Sequence, residues 1–314
     1  MKIVRKYGLL LVIAIVFLIL LPACSEKNIL GEEMVKLIAI STGEMSTSTS
    51  QVNRQEDSTK NDVVRISAIG IVNADELIKG FTPFMNYLNQ KTGKKFEFVY
   101  CENYDKVIEG FEKDTIDFAS LGPVTYVTMR DQKKMAVEPL VRPLESGKDS
   151  YTSIVFVKKD SPIQSMSELR GKKMAFGDRL STAANLFPRY IIYNSGAAED
   201  TWAGSQQLGS QDNIFKGVLS GDFDAGASKS TVYKKNNTDG KFRQIGESDK
   251  ISTFAYTARS DMDPQLKEAI KQALLELKDP EILTKIEKPF TGFIEAKDED
   301  YNSVRDVLKL VSID

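Results

Sequence analysis

From residue 63 onward, short runs of apolar residues alternate with longer stretches in which apolar residues recur every three or four positions. The first run, 63–69, has the character of a β-strand, and the stretch that opens at Asp75 places Leu77, Phe81 and Leu88 on one side of a helix. This alternation continues along most of the chain. It predicts an α/β protein in which strands and helices form packed layers.

The remaining pattern extends this prediction to two lobes. Further strands are predicted at 96–100, 116–120, 154–157, 173–176, 223–227 and 254–258, and further helices around 107–111, from 181, around 214–219, and at 264–278, 280–288 and 299–310. We expect the chain to cross between the lobes near 151–155 and again near 251–256. Residues 62–153 and 255–314 would then form one lobe and residues 154–254 the other, with a cleft between them.

The first residues have the pattern of a secretion signal. Lys2, Arg5 and Lys6 precede the apolar run 9–21, and small residues lead to Cys24. The segment before Cys24 resembles the bacterial lipobox, which implies a signal peptide at 1–23 and a lipid on Cys24. The alternative, a transmembrane anchor, requires about 20 apolar residues, and this run is shorter. Residues 24–61 are rich in serine and threonine and predict a flexible tether.

Composition excludes several classes of function. The 314 residues contain no histidine and two cysteines, so histidine-based catalytic triads and zinc sites built on histidine or thiolate ligands are not expected. The formal net charge of −2 argues against binding of nucleic acid, which normally requires a basic surface. We therefore expect neither an enzyme nor a protein with a metal or a cofactor.

One stretch carries candidate chemistry. The strand at 173–176 is followed by a short polar loop and then by Ser181 and Thr182 at the predicted start of a helix. Unsatisfied backbone amides and the positive end of the helix dipole can hold an anion there, and the two hydroxyls would add donors. The alternative is that Ser181 or Thr182 only caps the helix.

A series of short motifs in a fixed order resembles a known family, the phosphate-, phosphite- and phosphonate-binding proteins of ABC importers. The similarity runs from about residue 63 to 290. The motifs are 69–71, 103–104, 116–119 with 122–123, 151–153 leading to 157–163, 175–178 before Ser181 and Thr182, 188–190, and 221–227.

The resemblance implies a type II periplasmic-binding-protein fold whose two α/β lobes close on a ligand. It assigns the phosphonyl oxygens to the hydroxyls of Ser181 and Thr182 and to the amide of Ala183. It also aligns two phenols of the family's site with Tyr104 and Tyr151. For each tyrosine the alternative is packing at the surface of a lobe.

The chain departs from the family pattern at several positions. Ala183 stands where many members have another hydroxyl, and Gln211 stands where a histidine is common, so that its amide can donate but carries no charge. Residues 228–231 and 252–254 lack the acid that would pair with the amine of an aminoalkylphosphonate, so we expect such ligands to be unfavourable. At the rim of the cleft Lys229 would favour an anion, but basic residues at helix starts are more often solvated, and we expect Lys229 to be solvated.

The resemblance and the residues together predict a lipid-anchored, monomeric solute-binding protein on the outer face of the bacterial membrane. It would capture a small phosphorus oxyanion and deliver it to the permease of an ABC importer. Two alternatives remain open, a binding protein for another small anion such as a sulfonate, or a component that presents its ligand to a sensor. An enzyme would need a nucleophile and a base, and no histidine is available to Ser181.

Overall fold

The computed structural model describes residues 63–69 and 74–313, and within these residues the chain forms thirteen strands and nine α-helices. The predicted signal peptide, Cys24 and the predicted tether to residue 61 lie outside the described residues. Strands and helices are numbered below in chain order.

The first sheet has six strands and defines lobe 1. Its strands are β1 (Val63–Ala68), β2 (Lys95–Phe98), β3 (Phe118–Leu121), β4 (Val137–Glu145), β12 (Ala255–Arg259) and β13 (Phe290–Glu295). They lie in the order β13-β4-β12-β3-β1-β2. β1 runs parallel to β2 and β3, whereas β12 runs antiparallel to β3 and β4. Lobe 1 is therefore built from the beginning and the end of the described chain.

The second sheet has five strands and defines lobe 2. Its strands are β6 (Ser153–Lys158), β7 (Lys173–Phe176), β8 (Gly204–Gln207), β9 (Ala225–Lys229) and β10 (Phe242–Glu247), in the order β10-β6-β9-β7-β8. β7 runs parallel to both β8 and β9, and β6 runs antiparallel to β9. This central parallel pair places the carboxyl ends of β7 and β9 at one edge of the sheet.

Helices cover both sheets. They are α1 (Ala74–Thr92), α2 (Tyr104–Glu112), α3 (Pro123–Val127), α4 (Phe187–Asn194), α5 (Gln211–Ser220), α6 (Ser230–Asn236), α7 (Pro264–Glu276), α8 (Pro280–Ile286) and α9 (Asn302–Leu308). In lobe 1, α1, α7 and α8 pack on one face around Phe84 and Tyr256. No helix among the described residues is both long and apolar enough to cross a membrane.

Two short strands connect the lobes. β5 (Ser150–Tyr151) carries the chain out of lobe 1, and β11 (Ile251–Ser252) carries it back. The two strands pair antiparallel, with Ile251 opposite Tyr151. An apolar cluster continues across this junction, since Val124 of lobe 1 belongs to the same buried group as Leu186 of lobe 2. The lobes are therefore in contact along the cleft that the connecting strands define.

β4 is the longest strand that the sequence pattern missed. Pro139 and Pro143 interrupt its apolar run, and proline is normally confined to sheet edges or bulges because it cannot donate to the ladder. Here β4 lies between β13 and β12, and its register with β12 shifts beside the Thr257–Pro139 pair. The irregular register accommodates the proline, and β4 carries Glu145 to the cleft.

Candidate functional site

The candidate site begins at the loop that follows β7. Ser181 caps the next helical segment, because its Oγ accepts a hydrogen bond of 3.2 Å from the amide of Ala184. Gly177 lets the loop fold back on this cap, since a Cβ at Gly177 would lie 2.8 Å from the Cβ of Ala184. The capping alternative is thus present for Ser181, while Thr182 is left to contact the opposite lobe.

Thr182 meets lobe 1 at the start of α3. The amide of Val124 donates to Oγ1 of Thr182 over 3.0 Å, and this contact is buried. A Cβ placed on Gly122 would lie 3.7 Å from Oγ1 of Thr182, 3.8 Å from Oγ1 of Thr125 and 3.8 Å from Cε1 of Tyr104. Two hydroxyls and a phenol ring therefore converge on the space in front of a glycine.

Thr125 was not identified from the sequence, and it is the most informative side chain here. Its Oγ1 is buried and has no hydrogen-bond partner among the described residues. Burial of a hydroxyl without a partner is costly, so such groups in proteins usually mark a place where a ligand or an ordered water completes the bonding. The sequence offered only the turn-forming Gly122-Pro123 as a signal for this segment.

The structure brings both predicted tyrosines to the Ser181–Thr182 pair. The ring of Tyr104 and the hydroxyl of Thr182 both lie beside Gly122, and Tyr151 belongs to the same buried cluster as Ala183. Burial raises the pKa of Tyr104 to about 12, with a further increase from the charge of Asp178. Burial also raises the pKa of Tyr151 well above its ordinary value, and the charge of Glu145 adds to this. Both phenols therefore keep their protons at neutral pH and can donate to an oxyanion.

Ala183 and Gln211 take different places from these four residues. The carbonyl of Ala183 accepts a hydrogen bond of 2.6 Å from Oγ of Ser153, which anchors the helix start to β6. Gln211 is the first residue of α5, and its Oε1 accepts 2.8 Å from the backbone amide of Lys229. Gln211 is thus tied to the end of β9 rather than bonded to the Ser181–Thr182 pair.

Lys229 corrects an expectation from the sequence. It was expected to be solvated, but it ends a strand in which every residue is buried, and only 4% of it is exposed. Its Nζ lies 2.6 Å from Oε1 of Glu145 and 3.3 Å from Oε1 of Glu287, both in lobe 1. The same Nζ lies 4.9 Å from the ring centroids of Tyr151 and Phe254. We call these four residues, Glu145, Glu287, Tyr151 and Phe254, the ammonium cage.

The charges in the cage hold Lys229 in its protonated form. Burial lowers the pKa of Lys229, but the charges and hydrogen bonds of Glu287 and Glu145 outweigh burial and raise the pKa above its ordinary value. Burial raises the pKa of Glu145, while Lys229 opposes this and the charge of Glu287 reinforces it. Oε2 of Glu145 is buried and has no partner among the described residues. The cage thus holds one ammonium against two carboxyl groups.

The cage also corrects the expectation that no acid stands near the ligand region. That expectation considered 228–231 and 252–254, whereas the acids come from the end of β4 and from the segment after α8. No sequence spacing links Glu145 or Glu287 to β9, because they approach it only through the packing of the lobes. Among the described residues, no cluster of acidic and cysteine side chains is suited to a metal ion.

Comparison with known proteins decides the family. Residues 66–301 match the family model described as the periplasmic substrate-binding protein of the phosphonate ABC transporter. The chain belongs to this family. The prediction of a substrate-binding protein of an ABC importer for phosphonate or phosphate is thereby confirmed, and so is a position outside the cytoplasm.

Individual relatives agree with this family. The phosphate-import protein PhnD of Mycolicibacterium smegmatis is 26% identical over 274 residues, which span 78% of this chain and 85% of that protein. A probable phosphite-binding protein, PhnD1 of Prochlorococcus marinus, is 27% identical over 182 residues, spanning 55% of this chain and 60% of that protein.

Solved structures confirm the two-lobed type II fold. PhnD1 of Prochlorococcus marinus, solved with methylphosphonate, superposes with a TM-score of 0.70 at 20% identity, covering 80% of this chain and 98% of that one. The aliphatic sulphonate-binding protein SsuA of Escherichia coli superposes with a TM-score of 0.56 at 15% identity, covering 79% of this chain and 86% of that one.

The buried Lys229–Glu145 pair predicts a strongly coupled effect on stability. Lys229→Met leaves Glu145 buried without its cation, so we expect the free energy of unfolding to fall by about 3–5 kcal/mol. Adding Glu145→Gln removes the uncompensated charge and should recover at least half of that loss. Urea unfolding of the four proteins of this double-mutant cycle measures the coupling. Additive losses from the two substitutions would contradict a direct pair.

Proposed function

We propose that the cleft binds a small phosphorus oxyanion at the point where Ser181, Thr182, Thr125, Tyr104 and Tyr151 converge. The observation that carries this proposal is the buried hydroxyl of Thr125, which has no hydrogen-bond partner in the part of the chain that the structure describes and lies beside Gly122 together with the Thr182 hydroxyl. Hydroxyls and phenols from both lobes form a donor set for an anion whose oxygens are arranged tetrahedrally. In this proposal Thr125 supplies from lobe 1 the hydroxyl that Ala183 does not supply from lobe 2.

The energetics of such a site suit a transport protein. Each hydrogen bond to a charged acceptor contributes roughly 1.5–3 kcal/mol. Four or five of them, reduced by the cost of ordering the lobes, correspond to a dissociation constant in the micromolar range or below. The backbone amides near Ala183 and the side-chain amide of Gln211 are further donors, which could reach the ligand if the site rearranges on binding.

The delivery step uses the connection between the lobes. Two lobes would move about β5 and β11, one formed by residues 62–153 and 255–314 and the other by residues 154–254. The ligand would favour the closed arrangement because it bridges the two lobes. The closed form would then dock on the permease of the importer. We further propose that the protein is a monomer, performs no catalysis, and is held at the outer face of the membrane by a lipid on Cys24.

A second candidate keeps the fold and changes the ligand. Ala183 and Gln211 replace a hydroxyl and a histidine that the family often has, and the fold is shared with a sulphonate-binding protein. The cleft would then hold a sulfonate or another small anion, for import or for presentation to a sensor.

A ligand panel separates the two candidates. Thermal unfolding of the purified protein is followed while phosphate, phosphite, methylphosphonate, sulfate and methanesulfonate are titrated. Binding to the folded state raises the melting temperature with the logarithm of ligand concentration over Kd. A shift with one or more phosphorus oxyanions and none with the sulfur anions is expected. Shifts in melting temperature with the sulfur anions alone would support the second candidate function instead.

Thr182 provides the matched mutational test. Thr182→Val keeps the shape of the side chain and removes the hydroxyl, so we expect the affinity for the phosphorus oxyanion to fall at least tenfold, about 1.4 kcal/mol. Thr182→Ser keeps the hydroxyl and should stay within threefold of the wild type. Calorimetric titration measures both. Equal affinities of the valine variant and the wild type would remove Thr182 from the site.

A further inference from the structure

We infer that Lys229 is a built-in substitute for a ligand's amino group, and that by filling the ammonium cage it makes the cleft select phosphorus oxyanions that carry no amine. The inference rests on the proposed function, because it assigns the substrate class of the same site. It makes Lys229 a specificity-determining residue.

The first argument is the chemistry of the cage. A primary ammonium has three N–H donors and no acceptor, and it is recognised by carboxylates and by the faces of aromatic rings. Nζ of Lys229 has two carboxylate oxygens at 2.6 and 3.3 Å and two ring centroids at 4.9 Å. This is the environment that a binding site would offer to a cationic ligand group, and a side chain of the protein occupies it.

The second argument is the position of the cage beside the anion site. Tyr151 adjoins both, because its ring faces Nζ of Lys229 and it packs in the same buried cluster as Ala183, the residue after Thr182. The ammonium cage and the proposed anion site therefore share Tyr151 as a neighbour.

The third argument is that moving Lys229 out of the cage would cost considerable free energy. Lys229 and Glu145 are both buried, with 4% and 3% exposed, and Oε2 of Glu145 has no partner within residues 63–69 and 74–313. Withdrawing the lysine would leave buried carboxyl groups unpaired, which is strongly destabilising. A second ammonium brought in by a ligand would meet both a filled space and a like charge.

The test compares two ligands of equal length, 2-aminoethylphosphonate and propylphosphonate, with methylphosphonate as the reference. The wild type is expected to bind methylphosphonate at least tenfold more tightly than 2-aminoethylphosphonate. In Lys229→Ala the cage is vacated and its carboxylates are free, so the variant should bind 2-aminoethylphosphonate at least tenfold more tightly than propylphosphonate. Calorimetric titration measures each Kd.

Three further variants control for other causes. Lys229→Arg keeps a cation in the cage and should rank the three ligands by affinity in the same order as the wild type. Lys234→Ala removes an exposed lysine of the same lobe. It should leave unchanged the ratio of the Kd values for methylphosphonate and 2-aminoethylphosphonate, and the ratio for 2-aminoethylphosphonate and propylphosphonate. The double variant Lys229→Ala/Glu145→Gln removes a carboxylate from the cage and should lose most of the preference for the amine.

The outcomes separate the inference from the proposed function. If the wild type binds none of the phosphorus oxyanions, the proposed function fails and the inference fails with it. If the wild type binds methylphosphonate but Lys229→Ala binds propylphosphonate at least as tightly as 2-aminoethylphosphonate, or binds none of the three ligands, the inference alone is overturned. If Lys229→Ala does not fold, the wild type decides, because equal affinity for methylphosphonate and 2-aminoethylphosphonate overturns it.

Discussion

The hydrogen bond from the amide of Val124 to the hydroxyl of Thr182 is the contact on which the arrangement of the cleft depends. It joins the beginning of a helix in lobe 1 to the beginning of a helical segment in lobe 2, in a place closed to solvent. Buried polar groups must find partners, so this bond fixes how closely the lobes approach. The neighbouring hydroxyls and phenols then face one another across Gly122, where any larger residue would fill the space between them.

Electrostatics divides the cleft into two parts with different preferences. Around Thr182 the neutral donors of hydroxyls and phenols can stabilise an anion without carrying a full charge of their own. Around Lys229 a fixed ammonium is balanced by two carboxyl groups of the opposite lobe. The ion pairs therefore link the lobes, and in our proposal they also determine which ligands the cleft accepts. At the rim, the exposed pair of Arg179 and Asp105 adds a weaker link, since solvated ion pairs contribute little.

The sequence pattern predicted those parts of the fold that depend on local periodicity. The strand at Lys173–Phe176 has the predicted bounds, and Ser181 caps the helical segment whose start the sequence pattern predicted there. β4 was missed because its prolines break the pattern that strands usually show. Tyr104 and Tyr151, which the family resemblance aligns with the site, lie in the same region as Ser181 and Thr182, and their assignment as ligand contacts remains a prediction.

What the sequence could not predict are the contacts made only when the lobes pack together. Glu145 and Glu287 stand far from Lys229 in the chain and share no motif with it. A lysine at the end of an apolar strand reads as a solvated residue, because nothing nearby in the sequence shows the carboxyl groups that compensate its burial. Thr125 likewise becomes informative only in the folded chain, where its hydroxyl has no partner among the residues that the structure describes.

A crystal structure of the protein with methylphosphonate tests the central claim most directly. The account predicts the phosphorus atom in front of Gly122, with phosphonyl oxygens within hydrogen-bond distance of the hydroxyls of Thr182 and Thr125. Lys229 should remain in its cage beside Tyr151. A ligand bound elsewhere, or one that leaves Thr125 without a partner, would contradict the account.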